Sequence, residues 1–196
     1  MEPLALLLIA AGMEGPEDWR STAASAKAGD RAAFERLMRQ HERLVLATAL
    51  RLLGHLEDAQ DAAQEVFLKL HRNWAKVEAS GNLAGWLYRV TVNVCHDQRR
   101  QKRDLIPAEE AAELEARGPD PQQALTDAER RRALEICLRR LPPKERAALV
   151  LRDLEGLTTE EVAVALGSSE ATVRSQISKA RVKVKKSMAQ YFRRPA

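Results

Sequence analysis

Apolar residues recur every three to four positions through most of the chain, the spacing of amphipathic helices rather than the alternation of strands. Residues 18–30 read as a first short helix stopped near Gly29. Phe34, Leu37, Met38, Leu44, Val45, Ala49 and Leu52 predict a second over 31–53, closed at Gly54. A third is expected over 56–74, with Ala59, Ala63, Val66, Phe67 and Leu70 inward. Its outer face carries Asp58, Asp61, Gln64, Glu65, Leu68 and Lys69, and a leucine exposed among carboxylates hints at a partner surface. Residues 79–85, small and polar, read as a loop. A helix over 86–102 follows, packed through Trp86, Leu87, Val90 and Val94, with Tyr88, Arg89, Asn93 and Asp97 facing outward.

The pattern lapses over 104–129 and resumes as a helix at 130–140. Leu141-Pro142-Pro143 breaks that helix, and 144–154 leads into the stretch with the strongest local signals, 154–186. Thr158 and Glu161 form a capping box there, and Val162, Ala163 and Leu166 share one face. Gly167 supplies a tight corner and Ser169 caps the next helix, whose inward stripe is Val173, Ile177, Ala180 and Val184. The opposite face presents Arg174, Ser175, Ser178, Lys179, Arg181 and Lys183. A short helix, a glycine corner and a second helix with a basic outer face make a helix-turn-helix suited to a DNA major groove.

Composition sharpens this reading. Aromatics are 4% and hydrophobics 45% of the chain, favouring an all-α protein built on aliphatic cores. The net charge of +4 is mild, so its distribution matters more. Residues 170–194 hold eight Lys or Arg against one acid, whereas 104–129 hold eight acids and one Arg. The first segment suits phosphate contacts; the second reads as an acidic flexible linker with nascent helix over 108–116. The basic run Arg99, Arg100, Lys102 and Arg103, beside an aromatic and an amide, suits single-stranded or melted nucleic acid. Cys95 and Cys137 belong to no ligand cluster, and the four histidines are scattered. No metal, cofactor or catalytic role is therefore expected, and a reducing cytoplasm fits. Leu4–Ala11 is too short to span a bilayer and lacks a basic flank, so membrane insertion is not expected. Residues 1–17 read as a disordered tail or as translation from a start codon placed too early, with Met13 as the alternative.

The strings DAQDAAQEVFLKLHR (58–72), WLYRVTVN (86–93), LPPKERAALVLRDLEGLTTEEVAVALG (141–167) and SSEATVRSQISKAR (168–181) stand in an order and spacing that resemble bacterial sigma factors of the sigma-70 family. The resemblance is to the extracytoplasmic-function (ECF) group and covers about residues 32–186. It implies a σ2-like domain over 18–103, a linker over 104–129 and a σ4-like domain over 130–196. It further implies that Asp61, Gln64, Glu65 and Leu68 bind a coiled coil on the largest subunit of core RNA polymerase, with its flap region as a second contact. Asn82, Trp86, Arg89 and Asn93, together with the basic Arg99 and Arg100, would recognise and melt the downstream (−10) promoter element. Arg174, Ser175, Ser178 and Lys179 match the upstream (−35) reading positions, and Arg181 lies on the same basic face. Gln176 stands where the family commonly has Arg. An anti-sigma factor is a further candidate partner. The alternative is a free-standing helix-turn-helix regulator, which leaves 58–93 without a role.

Overall fold

The computed structural model describes residues 18–105 and 127–192. The expectations for the N-terminal tail and for helix over 108–116 lie outside these residues. Among the described residues there are nine α-helices, one π-helical segment and no strand. The first group comprises α1 (Asp18–Lys27), α2 (Arg31–Leu53), α3 (Leu56–Arg72), α4 (Trp74–Ser80) and α5 (Leu83–Leu105). The second comprises α6 (Asp127–Arg139), α7 (Pro143–Leu149), the π segment Val150–Leu154, α8 (Thr159–Leu166) and α9 (Glu170–Tyr191).

The first group forms around α2, α3 and α5, which pack on one another. Asp30 caps α2 by accepting from the amides of Ala32 and Ala33, and Gly54 ends it in the left-handed region at φ 85°. Leu37, Val45, Val66, Leu70 and Leu87 lose essentially all solvent exposure, each stabilising the fold by about 1.5–3 kcal/mol. The polar stretch before α5 is shorter than its composition suggests. Asn82 Oδ1 accepts from the Gly85 amide at 2.9 Å, so α5 begins at Leu83 rather than Trp86.

In the second group α9 packs against α6, α7 and α8. The expected caps all form. Glu161 N donates to Thr158 Oγ1 at 3.2 Å, Thr158 N donates to Glu161 Oε2 at 2.7 Å, and Thr172 N donates to Ser169 Oγ at 3.2 Å. Gly167, at φ 57°, makes the corner between α8 and α9. The helix expected over 144–154 widens after Leu149, and the Glu155 amide reaches back to the Val150 carbonyl at 3.0 Å. At its end two carboxylates two residues apart, and so on different sides, take different partners: Asp153 binds Arg181, and Glu155 binds Arg51 and Tyr88.

The two groups share one continuous apolar core, and α8 lies against α5. Polar contacts between them gather at the C-terminal end of α2. Arg146 Nη1 donates to the Leu52 carbonyl at 2.7 Å and Arg139 Nη1 to the Gly54 carbonyl at 3.0 Å, while Arg99 of the first group itself shares the Leu52 oxygen at 3.4 Å. Carbonyls left over at a helix C-terminus carry partial negative charge, and guanidinium forks satisfy them. Arg51 pairs with Glu155, whose other oxygen accepts from the Tyr88 hydroxyl at 3.3 Å. Tyr88 was expected to face solvent but is buried, because this carboxylate gives its hydroxyl a partner inside. Burial first, and then the Glu155 charge, raises its pKa well above the ordinary tyrosine range.

Candidate nucleic-acid and partner interfaces

Three faces carry the residues singled out from the sequence. The first lies on α3. Asp61, Gln64, Glu65 and Leu68 are spaced i, i+3, i+4 and i+7 and therefore share one side of the helix. Leu68 is 43% exposed, a large aliphatic group that borders a surface groove with Phe34, Met38 and Phe67. Beside it runs a groove between α2 and α3, bordered by Met38, Gln64 and Phe67. Glu65 holds a 3.5 Å ion pair with Lys69, one helical turn on. Asp58 departs from the expected face. Its carboxylate accepts from Lys102 Nζ at 2.5 Å and ties α3 to α5, which also removes Lys102 from the free basic run.

The second face is a stripe on α5. Asn82, Trp86, Arg89, Asn93 and Arg100 follow steps of four, three, four and seven, which keeps them on one side of a 3.6-residue helix. Arg89, Asn93 and Arg100 are exposed and Trp86 is half-buried, with part of its ring available for stacking. Asn82 is exposed, but its side-chain oxygen is occupied by capping. Arg99 falls off the stripe. It is half-buried, turned toward the Leu52 carbonyl in the cleft between the two groups, and its pKa is lowered by that burial. It is therefore not presented with Arg100, and a role in binding DNA requires the cleft to part. The side chain of Arg103 lies outside the described residues.

The third face is the outer side of α9. Ser175, Ser178 and Lys179 are exposed, and Arg174 is held at 2.8 Å by Glu170 one turn earlier, an exposed pair of little energetic weight. Arg181 differs from this group. Its Nε and Nη2 form a bidentate pair with Asp153 at 2.8 and 2.6 Å, so its fork braces the helix-turn-helix instead of standing free. Lys183 is likewise paired, with Glu145 at 2.8 Å. Gln176 is turned toward α5 and borders the interdomain cleft.

Among the described residues no group of three or more His, Cys, Asp or Glu is placed to hold a metal ion. No described helix is long and apolar enough to cross a membrane. Cys95 and Cys137 are both buried as free thiols. Two residues that matter escaped the sequence reading: Arg146, buried at the meeting of the two groups, and Glu155, which links them. A lone Arg or Glu on a helix resembles any solvated charge, so only the Pro-Pro break and the odd spacing at 150–157 could have marked them.

The family model for Sigma-70 region 2 matches residues 37–104, and that for Sigma-70, region 4 matches residues 131–184. Over 185 residues the chain is 36% identical to the ECF RNA polymerase sigma factor SigE of Mycolicibacterium smegmatis, spanning 91% of this chain and 72% of that protein. It is 34% identical over 159 residues to the ECF RNA polymerase sigma factor SigM of Mycobacterium tuberculosis, covering 80% and 78% of the two chains. The structure of the sigma factor RpoE in complex with the anti-sigma factor NepR from Bartonella quintana superposes with a TM-score of 0.62. At 22% identity, over 80% of this chain and 96% of that one, this likeness concerns the fold alone.

Proposed function

The chain belongs to the ECF group of RNA polymerase sigma factors, and from that premise we propose how its surfaces share the work of starting transcription. Residues 18–103 act as the σ2 domain and 130–196 as the σ4 domain, joined by the acidic stretch 104–129. The α3 face of Asp61, Gln64, Glu65 and Leu68 docks on the coiled coil of the largest polymerase subunit. An exposed leucine beside a groove bordered by Phe34, Met38 and Phe67, flanked by Asp61, Gln64 and Glu65, gives an apolar contact with a polar rim, the composition of a specific interface.

The α5 stripe receives the downstream element. Extruding a base costs a few kcal/mol. Stacking on Trp86 returns about 1–3 kcal/mol per base, and Arg89 and Arg100 neutralise the phosphates of the separated strand. Asn82 contributes by holding the start of α5 in place rather than by touching a base. On α9, Arg174 and Lys179 with Ser175 and Ser178 read the upstream duplex, while Arg181 positions the helix through Asp153. The protein does no chemistry of its own and works in the cytoplasm. An anti-sigma factor is a partner of the kind named for the Bartonella relative.

The reading is supported by three separate exposed faces on one chain: Leu68 with Asp61 and Gln64 on α3, Arg89, Asn93 and Arg100 on α5, and Arg174, Ser175, Ser178 and Lys179 on α9. A free-standing helix-turn-helix regulator needs only the last. The packed arrangement also implies a motion. Elements about 25 base pairs apart are separated by roughly 85 Å at 3.4 Å per base pair. A compact chain of this length measures only about 40 Å across. The cleft at the end of α2 therefore parts when both elements are engaged.

Assembly with core RNA polymerase tests the reading. Glu65→Arg combined with Gln64→Ala, both away from the helix core, should abolish co-elution with core enzyme while the helical circular-dichroism signal persists. Binding at wild-type affinity by this double variant would show that α3 is not the polymerase face.

A further inference from the structure

The cleft between the two groups holds more positive charge than its neighbours compensate. Arg146 is the one charged side chain among the described residues that is fully buried, at 1% exposure. Its terminal nitrogens donate to the carbonyls of Leu52, Arg139 and Leu141, and its Nε has no partner. Carbonyls carry only partial charge, so the guanidinium lacks a full counterion. Arg146 borders a cavity of about 330 Å³ together with Arg99 and His96 from α5 and Lys144 from α7.

No Asp or Glu lines this cavity. The nearby carboxylates pair with other cations: Glu145 through Oε1 with Lys183, its Oε2 being buried without a donor, Asp153 with Arg181, Glu155 with Arg51, and Glu170 in the first turn of α9 with Arg174. Burial, followed by the like charges of Arg99 and Arg139, pushes the Arg146 pKa down to about 9. Thr172, in the first turn of the 22-residue α9, and Ser168, two residues ahead of that helix, line the same space, so the positive end of the helix dipole lies beside it, with the Thr172 amide held by the Ser169 cap. Gln176 Oε1, also bordering the cavity, is buried without a donor.

We propose that this cleft is a binding site for a small phosphate-bearing anion, held between Arg99, Lys144 and the free Nε of Arg146 at the first turn of α9. A buried guanidinium without a full counterion is costly, and a phosphate bound beside Arg146 offsets that cost. The cavity suits a molecule of up to about mononucleotide size, whereas a duplex cannot enter it. Leu52, Val92 and Leu166 form its apolar wall, against which the non-phosphate part of such a ligand would lie.

Both groups of helices line the cavity, so only the packed form is complete as a site. Ligand binding favours that form by the factor 1 + [L]/Kd, about 100-fold at a concentration of 100 Kd. The inference concerns the free chain and does not rest on the promoter reading.

The test is calorimetric titration of the full chain with inorganic phosphate and, separately, with adenosine monophosphate. Ionic strength is held constant with chloride, and adenosine serves as the uncharged control. Lys144→Gln and Arg99→Gln are titrated in parallel, with circular dichroism to establish that each is folded. Lys144 is exposed and outside the apolar core, so its variant keeps the test open if Arg99→Gln does not fold. One saturable site for a phosphate probe, weakened at least tenfold in Lys144→Gln and silent to adenosine, is the expected result. Equal affinity for the two probes identifies free phosphate as the ligand chemistry. Affinity at least tenfold higher for adenosine monophosphate identifies a nucleotide. Absence of saturable binding by either probe up to millimolar concentration overturns the proposal, as does an affinity unchanged in the folded variants.

Discussion

The seam between the two groups can be probed at Gly54, where α2 ends beneath Arg139. Gly54 has φ 85°, and a Cβ added there would stand 2.5 Å from Arg139 Cδ. Alanine at this position therefore incurs two costs. Left-handed backbone costs an L-residue about 1–2 kcal/mol. The Arg139 side chain must also swing away and give up its 3.0 Å bond to the Gly54 carbonyl, worth about 0.5–1.5 kcal/mol, toward the lower end for an exposed bond. The sum for Gly54→Ala is roughly 1.5–3.5 kcal/mol. Gly167→Ala is the control: its φ is 57° and nothing lies within 4 Å of the added atom, so the backbone cost of about 1–2 kcal/mol stands alone. In the double variant Gly54→Ala/Arg139→Ala the clash is gone and the bond is lost only once. Its destabilisation should fall short of the sum of the single changes by about 0.5–1.5 kcal/mol. Urea unfolding of the full chain, followed by far-ultraviolet circular dichroism, measures all four. Additivity within about 0.3 kcal/mol, with Gly54→Ala no worse than Gly167→Ala, would refute the docking of Arg139 on the end of α2.

Further outcomes follow from single groups. Burial pushes the Cys95 thiol up to about 12, with Arg99 pulling weakly the other way, so at pH 8 the native chain should react with a disulfide reagent far more slowly than the urea-unfolded chain. Comparable rates would place Cys95 in solvent. Tyr88 holds its proton more tightly folded than unfolded, so its contribution to stability is present below about pH 10 and is lost as pH rises toward the higher folded value. In a Tyr191→Phe chain, where Tyr88 is the remaining tyrosine, phenolate absorbance should appear only above pH 10; ionisation near 10 would contradict its burial. On α9, Lys179→Ala should weaken duplex binding across sequences and flatten the salt slope by about one, while Arg174→Ala relaxes selectivity at one base pair by about 1–3 kcal/mol. Arg181→Ala should instead lower the stability of the helix-turn-helix with little change in sequence preference, and loss of selectivity without loss of stability would return Arg181 to the reading face.

The helix-turn-helix was legible because its signals are local. Thr158, Glu161, Gly167 and Ser169 act on backbone groups within three residues, and the Val173, Ile177, Ala180 stripe needs only helical periodicity. The α3 face was legible for the same reason, since positions 61, 64, 65 and 68 share a side on any helix. What escaped depends on pairs distant in the chain. Tyr88 was read as exposed because its partner, Glu155, lies 67 residues away. Arg99 and Arg181 looked like other cations on basic faces, yet one turns to the Leu52 carbonyl and the other to Asp153. The widening at 150–154 has no compositional mark. The loop expected over 79–85 shrinks to residues 81–82, because a capping asparagine and an ordinary loop asparagine look alike in sequence.

The central claim, that this chain confers promoter specificity on RNA polymerase, is tested most directly by mapping transcript 5′ ends made by core enzyme on the DNA upstream of its own gene, with and without the purified protein. A defined start should appear only with the protein, disappear with Glu65→Arg/Gln64→Ala, and be restored in part to Asn93→Ala when the template is melted beforehand. Transcription by core enzyme that is unchanged by the protein, alongside specific binding of the protein alone to the same duplex, would contradict it and establish a free-standing regulator.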